Sequence, residues 1–327
     1  MGQRSGSYAF HDLKPDTGSF LDEVVAGLGQ PQKALSPKYF YDERGCALFE
    51  QICALPEYYP TRTEMALMQA HAPEISTLLG RDCVLIEYGS GSGRKTVELI
   101  EHLKPVAYVP IDIAATQLNA FAEGLAARFS GLNIAAVCAD YSRPFALPDI
   151  ERLGAGRRVA YFPGSTIGNF TIDDARSFLH RACLLTAPGG AMLVGVDLKK
   201  EEALLHAAYN DAQGVTAAFN LNLLARINRE LGADFDLYAF RHHAFYNRDA
   251  GRIEMHLVSL TDQQVALAGR AFRFRRDETI HTENSYKYSV EEFQALAREA
   301  GFEAERCWID AGRLFAIHYL VARGIVA

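Results

Sequence analysis

Apolar residues occur along this chain in two textures. Residues 83–86, 107–111, 134–139, 159–162 and 191–197 are short, nearly unbroken apolar runs. Runs of that length without alternation suit strands buried on both faces, as in a parallel sheet. The first run ends in Glu87 and passes into Gly89-Ser90-Gly91-Ser92-Gly93, after which residues 95–100 resume with helical spacing. The sequence therefore predicts strand, tight turn and helix. Helical spacing also marks residues 19–29, residues 47–52 ahead of Pro56, and residues 199–232, whose apolar face runs through Val215, Phe219, Leu223, Ile227 and Leu231. Thr61 to Glu64 has the form of a capping box opening another helix.

Beyond residue 250 the texture changes. Residues 252–260, 265–274 and 279–288 read as strands separated by turn-forming clusters, and residues 291–300 as a helix ended by Gly301. Cys307 and residues 315–321 fall on returning strands. An antiparallel group inserted late in a parallel pattern predicts an α/β, doubly wound sheet with a second α+β lobe. The expected division assigns residues 63–198 and 289–327 to the sheet domain, which is discontinuous, and residues 9–62 and 199–288 to the second lobe.

The glycine turn carries the first chemistry. Alternating glycines let a backbone approach a ligand at the carboxyl edge of a parallel sheet. A dinucleotide fingerprint would need glycine at position 94, and so would a phosphate loop ending in Lys95-Thr96; Arg94 breaks both. The remaining pattern, Glu87-x-Gly89-x-Gly91-x-Gly93, resembles the first motif of S-adenosylmethionine-dependent methyltransferases. Asp112 closes the next apolar run at the distance where such sheets place a ribose-binding acid, and Asp140-Tyr141 closes the one after. Either acid alone is equally suited to capping the following helix. The ordered set of turn, Asp112 and Asp140 is the more specific signal.

The chain has 327 residues, a formal charge of −7 and a pI near 5.8. That balance disfavours a nucleic-acid partner. No apolar run reaches membrane-spanning length and residues 1–7 carry no signal-like segment, so a cytoplasmic location, without membrane attachment, is expected. Six cysteines lie in apolar segments without a C-x-x-C pair, and ten histidines form no cluster with zinc spacing. No metal is expected.

A longer resemblance extends over nearly the whole chain. Phe40-Tyr41-Asp42, Leu55-Pro56-Glu57-Tyr58-Tyr59-Pro60-Thr61-Arg62-Thr63-Glu64, Phe162-Pro163-Gly164-Ser165-Thr166-Ile167-Gly168-Asn169, Tyr209-Asn210-Asp211-Ala212 and Gly214-Val215-Thr216-Ala217-Ala218-Phe219-Asn220, taken with the glycine turn, resemble the histidine Nα-methyltransferases of ergothioneine biosynthesis. The resemblance implies a Rossmann-like methyltransferase domain and a substrate-binding lobe. It also implies trimethylation of the α-amine of L-histidine by S-adenosyl-L-methionine to give hercynine. Gly89, Lys95, Asp112, Asp140 and Tyr141 would hold the cofactor. Tyr58, Asn169 and Tyr209 would hold the amine and carboxylate of the amino acid, Glu283 and Ser285 its imidazole, and Met255 would wall the ring. Tyr41 and Asn169 would be the catalytic positions. A monomer acting on a small molecule is expected.

The residues taken singly have plainer readings. Tyr58, Tyr209 and Met255 suit a core, and Glu283 and Ser285 suit the solvated face of a strand. Asn284, between them, stands where some members of that family carry an apolar residue, which bears on the ring the site would accept. Methylation of another amino acid is one alternative; a non-catalytic S-adenosylmethionine-binding module is another.

Overall fold

The computed structural model describes residues 6–13, 20–91, 93–147, 153–154 and 156–323. Ser19 of the first predicted helix and Ser92 of the glycine turn lie outside the described residues. The chain forms two compact units, one from residues 1–15, 60–199 and 288–327, the other from residues 16–59 and 200–287.

An eight-stranded sheet organises the first unit. Its strands are β1 (Tyr8–Asp12), β3 (Val84–Tyr88), β4 (Ala107–Asp112), β5 (Asn133–Cys138), β6 (Arg158–Phe162), β7 (Ala191–Asp197), β13 (Phe302–Ile309) and β14 (Phe315–Ala322), in the order β1-β5-β4-β3-β6-β7-β14-β13. All neighbours are parallel except β14, which runs antiparallel to β7 and β13. Every residue of β3 and β7 is buried, which explains their unbroken apolar texture. Helices α3 (Tyr59–Leu79), α4 (Arg94–Leu103), α5 (Ala115–Arg128), α6 (Ile172–Thr186) and α9 (Val290–Glu299) accompany this sheet. Ser289 and Glu292 cap α9 reciprocally. Strand order reverses between β3 and β6, and ligands of such sheets bind beyond the strand carboxyl ends at that reversal.

Two expectations need correction here. Residues 9–12, expected in the second lobe, instead belong to β1, which pairs in parallel with β5, Tyr8 opposite Ile134 through Asp12 opposite Cys138. An isolated extended run carries no mark of the sheet it will join, and only the free edge of β5 decides it. Thr61 to Glu64 do not cap α3, which begins two residues earlier at Tyr59 with Pro60 in its first turn, where a missing N–H costs nothing. Glu64 is committed elsewhere, as described below.

The second unit contains a four-stranded sheet ordered β2-β12-β9-β8, from β2 (Lys33–Ala34), β8 (Phe240–Asn247), β9 (Arg252–Ser259) and β12 (Thr279–Tyr286). A separate hairpin joins β10 (Gln263–Leu267) and β11 (Arg270–Phe274). Residues 265–274 were expected to be one strand; Ala268 and Gly269, both at positive φ, fold them back as a two-residue turn. Its helices are α1 (Phe20–Leu28), α2 (Glu43–Ala54), α7 (Glu202–Tyr209) and α8 (Val215–Leu231). The single predicted helix over 199–232 is thus two. Asp211, in the break, accepts from Val215 N and Thr216 N, 2.8 Å each, and starts α8.

The pairing of β12 with β9 slips by one residue. His281 lies opposite His256, yet Glu283 lies opposite Met255, leaving Thr282 as a β-bulge. Thr282 is buried and donates to Asn220 Oδ1 at 2.8 Å and to the Met255 carbonyl at 3.0 Å. The slip puts Glu283 and Ser285 on the face that carries Met255 and Ile253, while His281 and Asn284 share the opposite face with His256 and Glu254.

Candidate active site

In the first unit, the polar groups gather at the carboxyl ends of β3, β4, β5 and β6. The turn after β3 holds Gly89, Gly91 and Gly93 at positive φ. Gly93 has a second constraint, because a Cβ there would lie 1.9 Å from the Phe121 ring. Asp112 accepts from Gly91 N at 3.2 Å through one oxygen and from Ala114 N at 3.0 Å through the other. One carboxylate thus joins the glycine turn to the entry of α5. Burial pushes its pKa up against the pull of these backbone donors. Asp140 accepts from Ser142 N at 3.0 Å. Tyr141 packs edge-on against Tyr88 and Phe162, and its hydroxyl lies 3.2 Å from where a Gly89 Cβ would be.

Glu64 supplies what the sequence reading missed in this unit. Only 1% exposed, it accepts from Gly164 N at 2.9 and 3.0 Å and pairs with Lys95. Gly195 makes room for it, since a Cβ there would lie 2.1 Å from the Glu64 carboxylate. One buried acid therefore fixes α3, the start of α4 and the loop after β6 relative to one another. That loop ends in a single 3-10 turn, Thr166–Asn169, which leaves Asn169 half-buried. Glu87, at the end of β3, takes hydrogen bonds from Thr96 at 2.7 Å and from Tyr108. Burial raises its pKa to about 8, so near neutrality it holds the strand–turn–helix junction mainly as the neutral acid.

The second unit brings together Tyr58, Tyr209, Met255, Glu283 and Ser285. Tyr58 and Tyr209 meet edge-on at 6.3 Å. The Tyr209 hydroxyl donates to Ser285 Oγ at 2.8 Å. Ser285 is 4% exposed and Met255 2%, so the Ser285 side chain does not belong to a solvated face. Burial raises the Glu283 pKa to about 7, with the Lys287 charge opposing. Tyr58 is held well above the ordinary phenol range by burial and by Tyr209, so it serves as a neutral hydrogen-bonding group. Tyr41 joins the cluster through Phe49, at 5.8 Å, and Phe219, at 6.0 Å. Asn169 and the expected cofactor residues belong to the first unit.

Phe49, Phe219 and Lys287 were not among the expected site residues. The aromatics looked like ordinary packing. Lys287 lies two positions beyond Ser285, just past the end of β12, and that spacing was the signal that could have found it.

The opposite face of this sheet carries Glu254, His256 and His281, whose ligand-type atoms lie within 4.8 Å of one another. Among the described residues this group is the one that offers three such atoms. Its geometry suits a hydrogen-bonded stack better than an ion. The imidazoles are 4.6 Å apart and 10° from parallel, so their in-plane lone pairs run side by side without converging. Arg252 donates to Glu254 at 2.6 Å, and His256 pairs with Glu254 at 3.1 Å. These contacts bring the Glu254 pKa down to about 2. None of the six cysteines is in a disulfide, and no helix among the described residues is long and apolar enough to cross a membrane.

A reversing parallel sheet with a glycine turn and acids at the ends of successive strands defines the Rossmann-like α/β class of cofactor-binding proteins. Comparison with known proteins narrows this. A sequence model of the S-adenosylmethionine-dependent, histidine-specific methyltransferases matches residues 20–322, and the chain belongs to that family. It is 41% identical over 309 residues to a histidine N-alpha-methyltransferase of Mycolicibacterium smegmatis, covering 91% of this chain and 94% of that one. It is 30% identical to ergothioneine biosynthesis protein 1 of Neurospora crassa, covering 86% of this chain and 32% of that longer protein. A 4-dimethylallyltryptophan N-methyltransferase of Aspergillus fumigatus is 29% identical over 309 residues, covering 89% of this chain and 90% of that one.

Proposed function

We propose that this protein transfers three methyl groups, one at a time, from S-adenosylmethionine to the α-amine of L-histidine, giving hercynine, the first step of ergothioneine biosynthesis. The observation that carries this reading is the placement of Glu283 and Ser285 on one face of β12 beside Tyr58, Tyr209 and Met255. That combination offers polar partners for a ring with two nitrogen edges.

The cofactor fits the first unit on its own terms. Asp112 supplies a carboxylate for ribose hydroxyls, and the Gly89 side of the turn is open up to the Tyr141 hydroxyl. Ser90 has a buried hydroxyl without a hydrogen-bond partner among the described residues, as expected of a turn that gains a ligand. Lys95 and Asp140 complete the set. When bound, S-adenosylmethionine supplies an activated methyl group on a sulfonium, so no metal or covalent enzyme intermediate is needed.

The protein's own residues then have two tasks. Tyr58, Asn169 and Tyr209 hold the amine and carboxylate, and Tyr41 shapes the aromatic wall beside Tyr58. The amine must be neutral and its lone pair must lie in line with the methyl carbon; such alignment accounts for much of the rate in reactions of this kind. Glu283 and Ser285 hold the imidazole and select it. A monomer located in the cytoplasm, acting on a free amino acid and on no nucleic acid, is the setting we propose.

Incubating the protein with S-adenosylmethionine and a pool of free amino acids, followed by mass spectrometry, tests the proposal. Histidine should gain three methyl groups on its α-nitrogen. Preferential methylation of another amino acid, or none of any, would overturn it.

A further inference from the structure

Lys287 has no part in the reading above, yet it is one of the most buried cations in the protein, 2% exposed. Its ammonium donates to Ser285 Oγ at 2.8 Å and to the Tyr209 hydroxyl at 3.0 Å, and lies 4.9 Å from the centre of the Tyr209 ring. With the 2.8 Å bond from Tyr209 to Ser285, the three polar atoms form a closed triangle.

The proton count in that triangle is restrictive. An ammonium has donors only, whereas a hydroxyl has one proton and two lone pairs. Ser285 Oγ accepts from Tyr209 and from Lys287, which fills both lone pairs. Its own proton is then directed away from both, toward whatever lies over this face of β12. Glu283 is two positions earlier on the same face.

We propose that Lys287 is a positioning residue that makes Ser285 a hydrogen-bond donor, so that the site takes histidine with a neutral imidazole, its bare nitrogen on Ser285 and its N–H on Glu283. The proposal rests on the substrate reading given above and deepens it. Charge points the same way as the hydrogen bonds. Lys287 and Glu283 offset one another, and a neutral ring preserves the balance, whereas an imidazolium would add a second cation beside a buried first one. Without Lys287 the site would lose the cation that offsets Glu283 and would favour the protonated ring.

The other titratable groups of this cluster keep the same role in either case. Tyr58 and Tyr209 are phenols, as is Tyr41, and Cys53 lies near Tyr58. His242, on β8, is held by Asn220 and by the Tyr209 carbonyl, and burial lowers its pKa.

Histidine binding to the intact protein, with S-adenosylhomocysteine present, tests this through protons. Calorimetric titration near pH 6, in buffers of different ionisation heat, counts protons taken up or released. The wild type should release them, from the ring of free histidine, whose pKa is about 6.5, and from Glu283, at about 7. Its affinity should accordingly rise with pH between about 5.5 and 7.5. Lys287→Gln supplies an acceptor and removes the charge. It should retain about one proton more than the wild type on binding and flatten the pH profile, with affinity for S-adenosylhomocysteine unchanged. Equal proton counts in the two proteins would overturn the proposal.

A comparison of ligands needs no variant. β-(1,2,4-Triazol-3-yl)alanine keeps a ring N–H and a bare nitrogen but is far harder to protonate. On the wild type it should gain on histidine as pH falls from about 7.5 to 5.5, tracking the ring protonation of free histidine. The reverse trend would show the imidazolium to be the bound form and overturn the proposal. Absence of histidine binding even at pH 8 would overturn the substrate reading itself, and this proposal with it.

Discussion

Glu283 shows how far a single residue's meaning depends on its neighbours. On a strand it reads as a solvated acid, and only the burial that raises its pKa to about 7 and the adjacent Ser285 make it a reader of a polar ring. Leaving such a group unpaired rejects a wrong ligand far more strongly than apolar shape does, which typically yields about 1 to 3 kcal/mol. Glu283→Ala should therefore lower catalytic efficiency with histidine by about a hundredfold or more, and lower that with tryptophan much less. Kinetics with both amino acids decide the matter: an equal loss for the two would make Glu283 a packing residue. At this scale the sequence was partly legible. Tyr58, Tyr209, Met255, Glu283 and Ser285, which the family resemblance names, fall in one compact unit, but Lys287 meets Tyr209 and Glu64 meets Gly164 from distant segments, and no local pattern marks partners that remote.

Among the elements, the junction of β3 and α4 depends on a buried acid that folding keeps protonated. The native pKa of Glu87, about 8, exceeds its ordinary 4.5, so the native state binds the proton more tightly than the unfolded chain. The stabilisation it contributes is full below pH 4.5 and declines as pH rises to about 8, at up to about 1.4 kcal/mol per pH unit. Glu87→Gln mimics the neutral acid toward Thr96 and Tyr108 without a proton to lose. Urea unfolding at pH 6 and pH 8 should show the variant gaining about 1 to 3 kcal/mol on the wild type over that interval; parallel pH profiles would show Glu87 to be ionised throughout. The strands of the parallel sheet were legible because full burial gives an unbroken apolar run. The two-residue turn at Ala268-Gly269 and the break ahead of α8 were not, because apolar texture continues across both and only local backbone geometry divides them.

For the molecule as a whole, the expected cofactor residues Gly89, Lys95, Asp112, Asp140 and Tyr141 fall in one compact unit, and Tyr58, Tyr209, Met255, Glu283 and Ser285 fall in the other. Hydrogen exchange should resolve them. S-adenosylhomocysteine alone is expected to slow exchange at Gly89, Gly91, Ala114 and Ser142, and histidine alone to slow it in β12. The opposite pattern would reverse the assignment of the two units. The bulge at Thr282 gives the second unit a peculiar heredity. Upstream and downstream of it, β12 is two alternating messages written out of phase, one addressed to the stack of imidazoles and the other to the amino acid. Deleting the single codon for Thr282 would erase no residue that the reaction uses. It would join the two halves into one regular alternation, with His281 still opposite His256 and Glu283 still opposite Met255, and would give up the hydroxyl that ties β12 to Asn220. Point substitution can explore which ring this enzyme accepts; a frame-preserving loss of that one residue would leave every ring-facing side chain on its present face and remove only an anchor beneath it.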